Sequence, residues 1–181
     1  MFDLRIHPAS LRDSDIETLL QFSVRHALLF NPLTATDASA DGLIAGFDAL
    51  LEQRLRLKRL GLTSWVALGV PPSSLPKRGL ERVLDAIQTR ADPACVRALG
   101  AVGLSTGTPR HLEAFDAQVQ LAVQLRLPIL ATLPVRQVSR AVALTLERLQ
   151  ALEVDPAQVC IDAGDVRALR PILHFGFVAG L

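Results

Sequence analysis

Tyrosine is absent from this chain, tryptophan occurs once, at Trp65, and phenylalanine only seven times. A surface so poor in aromatic rings offers few platforms for stacking bases, so nucleic acid is not an expected partner. An excess of charge is missing too: 19 basic side chains meet 18 acidic ones, a formal net charge of +1. That balance gives no long-range pull toward polyanions, membranes or acidic substrates. Long apolar runs are also lacking. Runs such as Ala27–Phe30 fall far below the roughly 20 residues a spanning helix needs, so no membrane association is expected. The opening MFDLRIHPAS has no basic segment followed by an apolar one and is not expected to be a signal peptide. Cysteine is limited to Cys95 and Cys160, far apart, one at the edge of a predicted strand and the other within one. Free thiols of this kind suit a reducing compartment better than a disulfide framework, and a cytoplasmic location is expected.

What is present is a 181-residue chain, half of it hydrophobic, enough for one domain with a sizeable core but not for two. Short apolar runs alternate with longer amphipathic segments. The pattern predicts strands at 2–6, 26–30, 63–70, 96–102, 128–132, 157–162 and 175–181. Between them it predicts helices from Ser14, where Ser14-Asp-Ile-Glu17 reads as a capping box, then up to Leu60 with Gly61 as the stop. Further helices are predicted over 75–90, 109–126, 136–153 and 165–174. No linker or low-complexity stretch interrupts the series.

Seven strands alternating with six helices through short connections imply βα units and a parallel sheet. Two architectures remain, an open doubly wound sheet and a (β/α) barrel, with the barrel slightly ahead on periodicity. No glycine-rich phosphate loop follows the first strand; Ile6-His7-Pro8-Ala9-Ser10 stands there instead, and neither dinucleotide nor P-loop spacing occurs anywhere.

Several segments carry a family resemblance. Asp3-Leu-Arg-Ile-His7 stands where the pattern Asp-x-His-x-His would be, and Leu68-Gly-Val-Pro-Pro72 where Gly-Val-His-Pro would be. Gly100-Ala-Val-Gly-Leu104 is similar to Gly-Glu-Ile-Gly-Leu, and Leu127–Pro134 to Leu-Pro-Val-x-Val-His-Thr-Pro. Val159-Cys-Ile-Asp-Ala163 is similar to a strand ending in Asp-His. In order and spacing, over nearly the whole chain, the sequence resembles the TatD-related metal-dependent hydrolases, amidohydrolase-type TIM barrels. The resemblance implies a truncated or distorted (β/α) barrel with about seven parallel strands, in one domain spanning residues 1–181.

The same resemblance implies one or two divalent metals held by paired histidines, a glutamate, two later histidines and a final aspartate. Those positions read Arg5, His7, Ala101, Thr132 and Ala163, and the final aspartate has no counterpart. A hydrolytic metal needs about three protein ligands and an open position for water, whose pKa it brings to roughly 7. With one ligand of six retained, no metal or other cofactor is expected. Alternation along the first strand puts Asp3, Arg5 and His7 on one face. If family geometry holds, that face points into the barrel, toward Leu99 and Ala101, Leu130 and Thr132, and Ile161 and Ala163. Arg5 is then expected to take the metal's place with Asp3 as its partner. Asp3, Arg5, His7, Thr132, Arg136 and Asp162 make up the expected vestigial pocket, without a catalytic residue.

Other polar residues admit plainer readings. His7 reads as a structural histidine rather than a relic ligand or base, and His26, His111 and His174 show no ligand spacing. Asp162 and Asp165 flank a strand end, where barrel active sites lie, though Asp165 serves equally as a helix cap. Ser105-Thr-Gly-Thr108 reads as a loop before a helix, with anion binding through backbone N–H groups as the alternative. Arg54, Arg56, Lys58 and Arg59 read as a solvated basic face near a helix end.

Barrels of this kind run to about 250 residues and at least about 200, so an incomplete edge covered by a partner protein or a second copy is expected. The favoured function is that of a catalytically inactive homologue serving as an interaction or scaffold module. A metal-dependent phosphoesterase or deoxyribonuclease is the alternative. A metal-independent enzyme using His7 with Asp3 or Asp162 comes third.

Overall fold

The computed structural model describes residues 2–30, 39–104, 106–134 and 137–180, with side chains from residue 6 onward apart from that of residue 9. Seven strands form one parallel sheet in sequential order, β1(Phe2–Ile6), β2(His26–Leu29), β3(Thr63–Leu68), β4(Val96–Val102), β5(Ile129–Thr132), β6(Val159–Asp162) and β7(Val178–Gly180). Six helices connect them: α1(Asp13–Gln21), α2(Ala40–Arg59), α3(Leu80–Arg90), α4(Pro109–Leu125), α5(Val138–Ala151) and α6(Val166–His174). The expected seven-stranded α/β architecture is present, with β1 and β7 at the two edges of the sheet.

The helices form because each carries an apolar stripe and its ends are chemically marked. In α2 the Ser39 hydroxyl accepts from the Gly42 N–H at 3.0 Å, Asp41 sits in the first turn, and Arg56, Lys58 and Arg59 sit in the last. Leu43, Phe47, Leu50 and Leu57 recur at helical spacing and are buried. Gly61, at φ +92°, takes the left-handed conformation that ends the helix.

Two helix starts differ from expectation. Asp15 rather than Glu17 caps α1: its carboxylate accepts the Arg12 N–H at 2.8 Å, so the helix begins one residue before Ser14. Helix α3 begins at Leu80 rather than Leu75. Pro76 keeps Leu75 extended, Pro72–Ser74 forms a short 3-10 turn, and Gly79 at φ +78° is the cap. Neither cysteine forms a disulfide, both are half-buried, and Cys95 lies one residue before β4 rather than within it.

Six strands bury apolar side chains against the helices in one continuous core, Ile6, Ala27 and Leu29, Val66 and Leu68, Val96, Leu99 and Val102, Ile129 and Ala131, Val159 and Ile161, and half-buried Ala179 of β7 packs against it. Leu28, Phe30, Ala67, Ala98 and Ala101 form a second cluster on the other face, joined by Trp65 and Leu130 and by no helix residue. That division corrects the inward set expected from the sequence. Leu99, Ile161 and Ala163 belong to the helix-side core. Irregular pairing of β4 with β5 between Gly100 and Val102 resets the alternation, leaving Ala101 on the opposite face from Leu99, two residues before it.

Strands β3, β4 and β5 approach unusually closely. A Cβ on Gly69 would lie 2.8 Å from the Gly100 carbonyl carbon, one on Gly100 2.7 Å from the Leu130 Cβ, and one on Gly103 2.2 Å from the Thr132 carbonyl oxygen. Only hydrogen fits at these three positions. Beside them Gln118 of α4, 2% exposed, is fully engaged. The Val70 N–H donates to its Oε1 at 2.7 Å, while its Nε2 donates to the Val70 and Ala114 carbonyls at 3.2 and 3.1 Å. Removing that amide strands a buried backbone donor and acceptor. Gln118→Leu is therefore expected to lower unfolding free energy by about 2–4 kcal/mol, measured by urea denaturation with an unchanged slope.

Candidate functional site

The ends of the strands that precede the helices hold the residues singled out from sequence. His7 follows β1 directly. Its Nδ1 lies 3.4 Å from the Phe30 carbonyl oxygen, and its ring meets the Phe30 ring edge-on with centroids 4.7 Å apart. A carbonyl oxygen only accepts, so Nδ1 is the donating nitrogen of that contact. Thr132 ends β5 and is 9% exposed, its hydroxyl donating to the Val102 carbonyl at 3.2 Å. Asp162 ends β6 beside it: the two pair in register, and Asp162 pairs in turn with Gly180. The backbone of Asp3 and Arg5 lies in β1, with Asp3 opposite Ala27. Their side chains and the whole of Arg136 lie outside the described residues, as does the expected Asp3–Arg5 pair.

The donor chemistry at the expected metal positions does not fit a hydrolytic cation. Ala101 and Ala163 offer hydrocarbon, 5% and 2% exposed, and Ala163 is packed in the helix-side core. The Thr132 hydroxyl is committed to a backbone carbonyl. Among the described residues no three His, Cys, Asp or Glu side chains converge, and about three protein ligands is the usual minimum for such a site.

Other candidates resolve into structural roles. Asp165 caps α6: its carboxylate accepts the Arg167 N–H at 2.9 Å and pairs with the Arg167 guanidinium at 2.8 Å. His111 Nδ1 lies 3.1 Å from the Thr108 hydroxyl and contacts that of Thr106 as well, holding the loop before α4 in place. The basic cluster on α2 is not simply a solvated face. Arg54 donates to the carbonyls of Ser64 and Ala94 at 2.9 and 3.0 Å, tying the helix to β3 and to the start of β4. Arg56 donates to Asp13 and to the Leu11 carbonyl, tying α2 to the start of α1. A charge run cannot reveal from sequence which members reach neighbouring backbone.

Sequence reasoning missed Gln118, although a signal exists. It interrupts the buried stripe of Ala114, Phe115, Val119 and Ala122 on α4, and an amide in such a stripe must find backbone partners. It also missed the polar stack at the opposite end of the sheet. There the His26 and Trp65 rings lie stacked with centroids 6.0 Å apart, and the Arg97 guanidinium stands over the Trp65 ring at 5.9 Å.

Solved structures place this architecture. The TatD-like protein of Archaeoglobus fulgidus superposes with a TM-score of 0.89 at 24% identity, over 100% of this chain and 76% of that one. The fold is TatD-like. The phosphotriesterase homology protein of Escherichia coli, solved with phosphate in its active site, matches at TM-score 0.71 and 15% identity, over 98% of this chain and 68% of its own. A TatD homologue from Escherichia coli matches at 0.65 and 19%, over 99% of this chain and 66% of its own. No family model and no curated sequence matches the chain. The TatD-like barrel of these structures is thus present in truncated form, its sheet running from β1 to β7. No described helix is long and apolar enough to cross a membrane.

The cap on α6 sets a pH dependence. Hydrogen bonds from the Arg167 guanidinium and then from its backbone N–H hold the Asp165 carboxyl below the ordinary carboxylate range. A carboxyl that titrates lower when folded contributes stability above its unfolded pKa and loses it as pH falls through the folded value. Asp165→Asn should therefore flatten the loss of thermal stability between roughly pH 5 and pH 2, followed by melting temperature across that window.

Proposed function

We propose that this chain is a catalytically inactive member of the TatD-related hydrolases, working in the cytoplasm as a protein-interaction or scaffold module. The observation that carries the reading is the chemistry of the ligand positions: two buried alanine methyls and an engaged threonine hydroxyl stand where a metal would need lone pairs. In this reading Asp3, Arg5, His7, Thr132, Arg136 and Asp162 are the remnant of the pocket. The fixed charge of Arg5 replaces that of the ion, with Asp3 compensating it.

The interaction role is supported by the surface near β7. Val166, Leu173, Phe175 and Val178 are 70%, 58%, 42% and 50% exposed, four of the seven large apolar side chains left in solvent among the described residues. They fall on α6, just after it and on β7, the strand at the sheet edge. An apolar surface beside an unpaired parallel edge is a place where another chain adds or covers. The occupant in this proposal is a partner protein or a second copy.

The competing reading is a metal-dependent phosphoesterase or deoxyribonuclease. Protein purified without chelator is expected to carry no stoichiometric zinc or manganese. Its phosphodiesterase activity with either metal added should match that of His7→Ala. Even a supporting group of a working metal site is worth roughly 10–100-fold, so a drop of that size in His7→Ala would establish the enzyme instead. Light scattering should show a dimer or a partner complex, and a monodisperse monomer at high concentration counts against self-association.

A further inference from the structure

The face of the sheet that no helix covers is not uniformly apolar, and its irregularity points to a ligand. Trp65, Ala98, Leu28, Leu130 and Pro128 wall a hollow of about 410 Å³, with Cys160 alongside. That is within the range of roughly 300–1,000 Å³ typical of small-molecule sites. Its side chains are small where a closed barrel carries bulky branched ones: Ala67, Ala98 and Ala101 sit on this face.

One charged residue lines the hollow, Arg97. Its position has a local cause. Val66 pairs with Val96 but Ala67 pairs with Ala98, so Arg97 is the extra residue of a bulge in β4. Bulges re-aim a side chain, and this one leaves the guanidinium over the Trp65 ring at 5.9 Å. Arg12, Arg56, Arg82, Arg90, Arg148 and Arg167 are each paired with an aspartate. Arg97 has no hydrogen bond or ion pair among the described residues. A planar guanidinium resting on an indole keeps its fork of N–H donors for a planar anion.

We propose that the hollow binds a free medium-chain carboxylic acid as its carboxylate. The alkyl chain lies along Leu28, Ala98 and Leu130, and the head group accepts two hydrogen bonds from Arg97. The apolar wall selects the tail and the single cation selects the head, so a neutral alcohol of the same length is the weaker ligand.

Trp65 is the only tryptophan of the chain and forms the wall of the hollow, so its emission is a built-in reporter. Titration of the full chain with octanoate and decanoate below micelle formation should give a saturable emission shift. Affinity should rise by up to roughly fourfold for each added methylene. Decanol should bind about tenfold more weakly than decanoate. Arg97→Ala should erase that preference while keeping the response to chain length. Ala98→Phe, which fills the hollow, should abolish both responses in protein whose circular dichroism and melting remain native. The absence of a saturable shift would overturn the proposal. So would an undiminished acid preference in Arg97→Ala, or a shift that follows particle growth in light scattering.

Discussion

Alternation of side chains along parallel strands gives this sheet two faces, and only one of them lies under helices. The covered face takes apolar residues from six strands and the inner stripes of the helices into one core, where close packing supplies the stability of the fold. Everything distinctive follows from the second face. Its residues are held in place by the first, yet they are free of the requirement to pack against a helix. They include three alanines, the chain's one tryptophan and an arginine raised on a bulge.

Close approach at the centre of the sheet couples the two faces. Gly69, Gly100 and Gly103 let β3, β4 and β5 draw together at the ends where barrel active sites lie. Gln118 fixes the backbone just beyond β3 from the helix side. The strand ends of the TatD-like fold are thus closely packed, and the side chains at 101, 163 and 132 there are two methyls and a committed hydroxyl.

Polar side chains that look interchangeable in the sequence divide by what they reach. Arg54 and Arg56 fasten α2 to its neighbours, Asp165 and Arg167 close the start of α6, and Arg97 lies on Trp65. Length of side chain and position in an element decide these outcomes. An arginine on the inner edge of a helix finds backbone carbonyls, and one on a bulge facing an uncovered sheet finds an aromatic ring.

By itself the sequence determined the number, order and type of the elements, because periods of 2 and 3.6 are local and survive in one dimension. Together with the family resemblance it also indicated a truncated barrel, and it put alanine at 101 and 163, where that resemblance implies metal ligands. The start of α3, the clamp made by Gln118 and the true inward set were decided only in three dimensions. Each depends on a proline's neighbour, a contact between distant segments or a shift in strand pairing. A single register irregularity sends Ala101 to the opposite face from Leu99, and another singles out Arg97. Such shifts arise from how neighbouring strands fit together, which no pattern along one strand records.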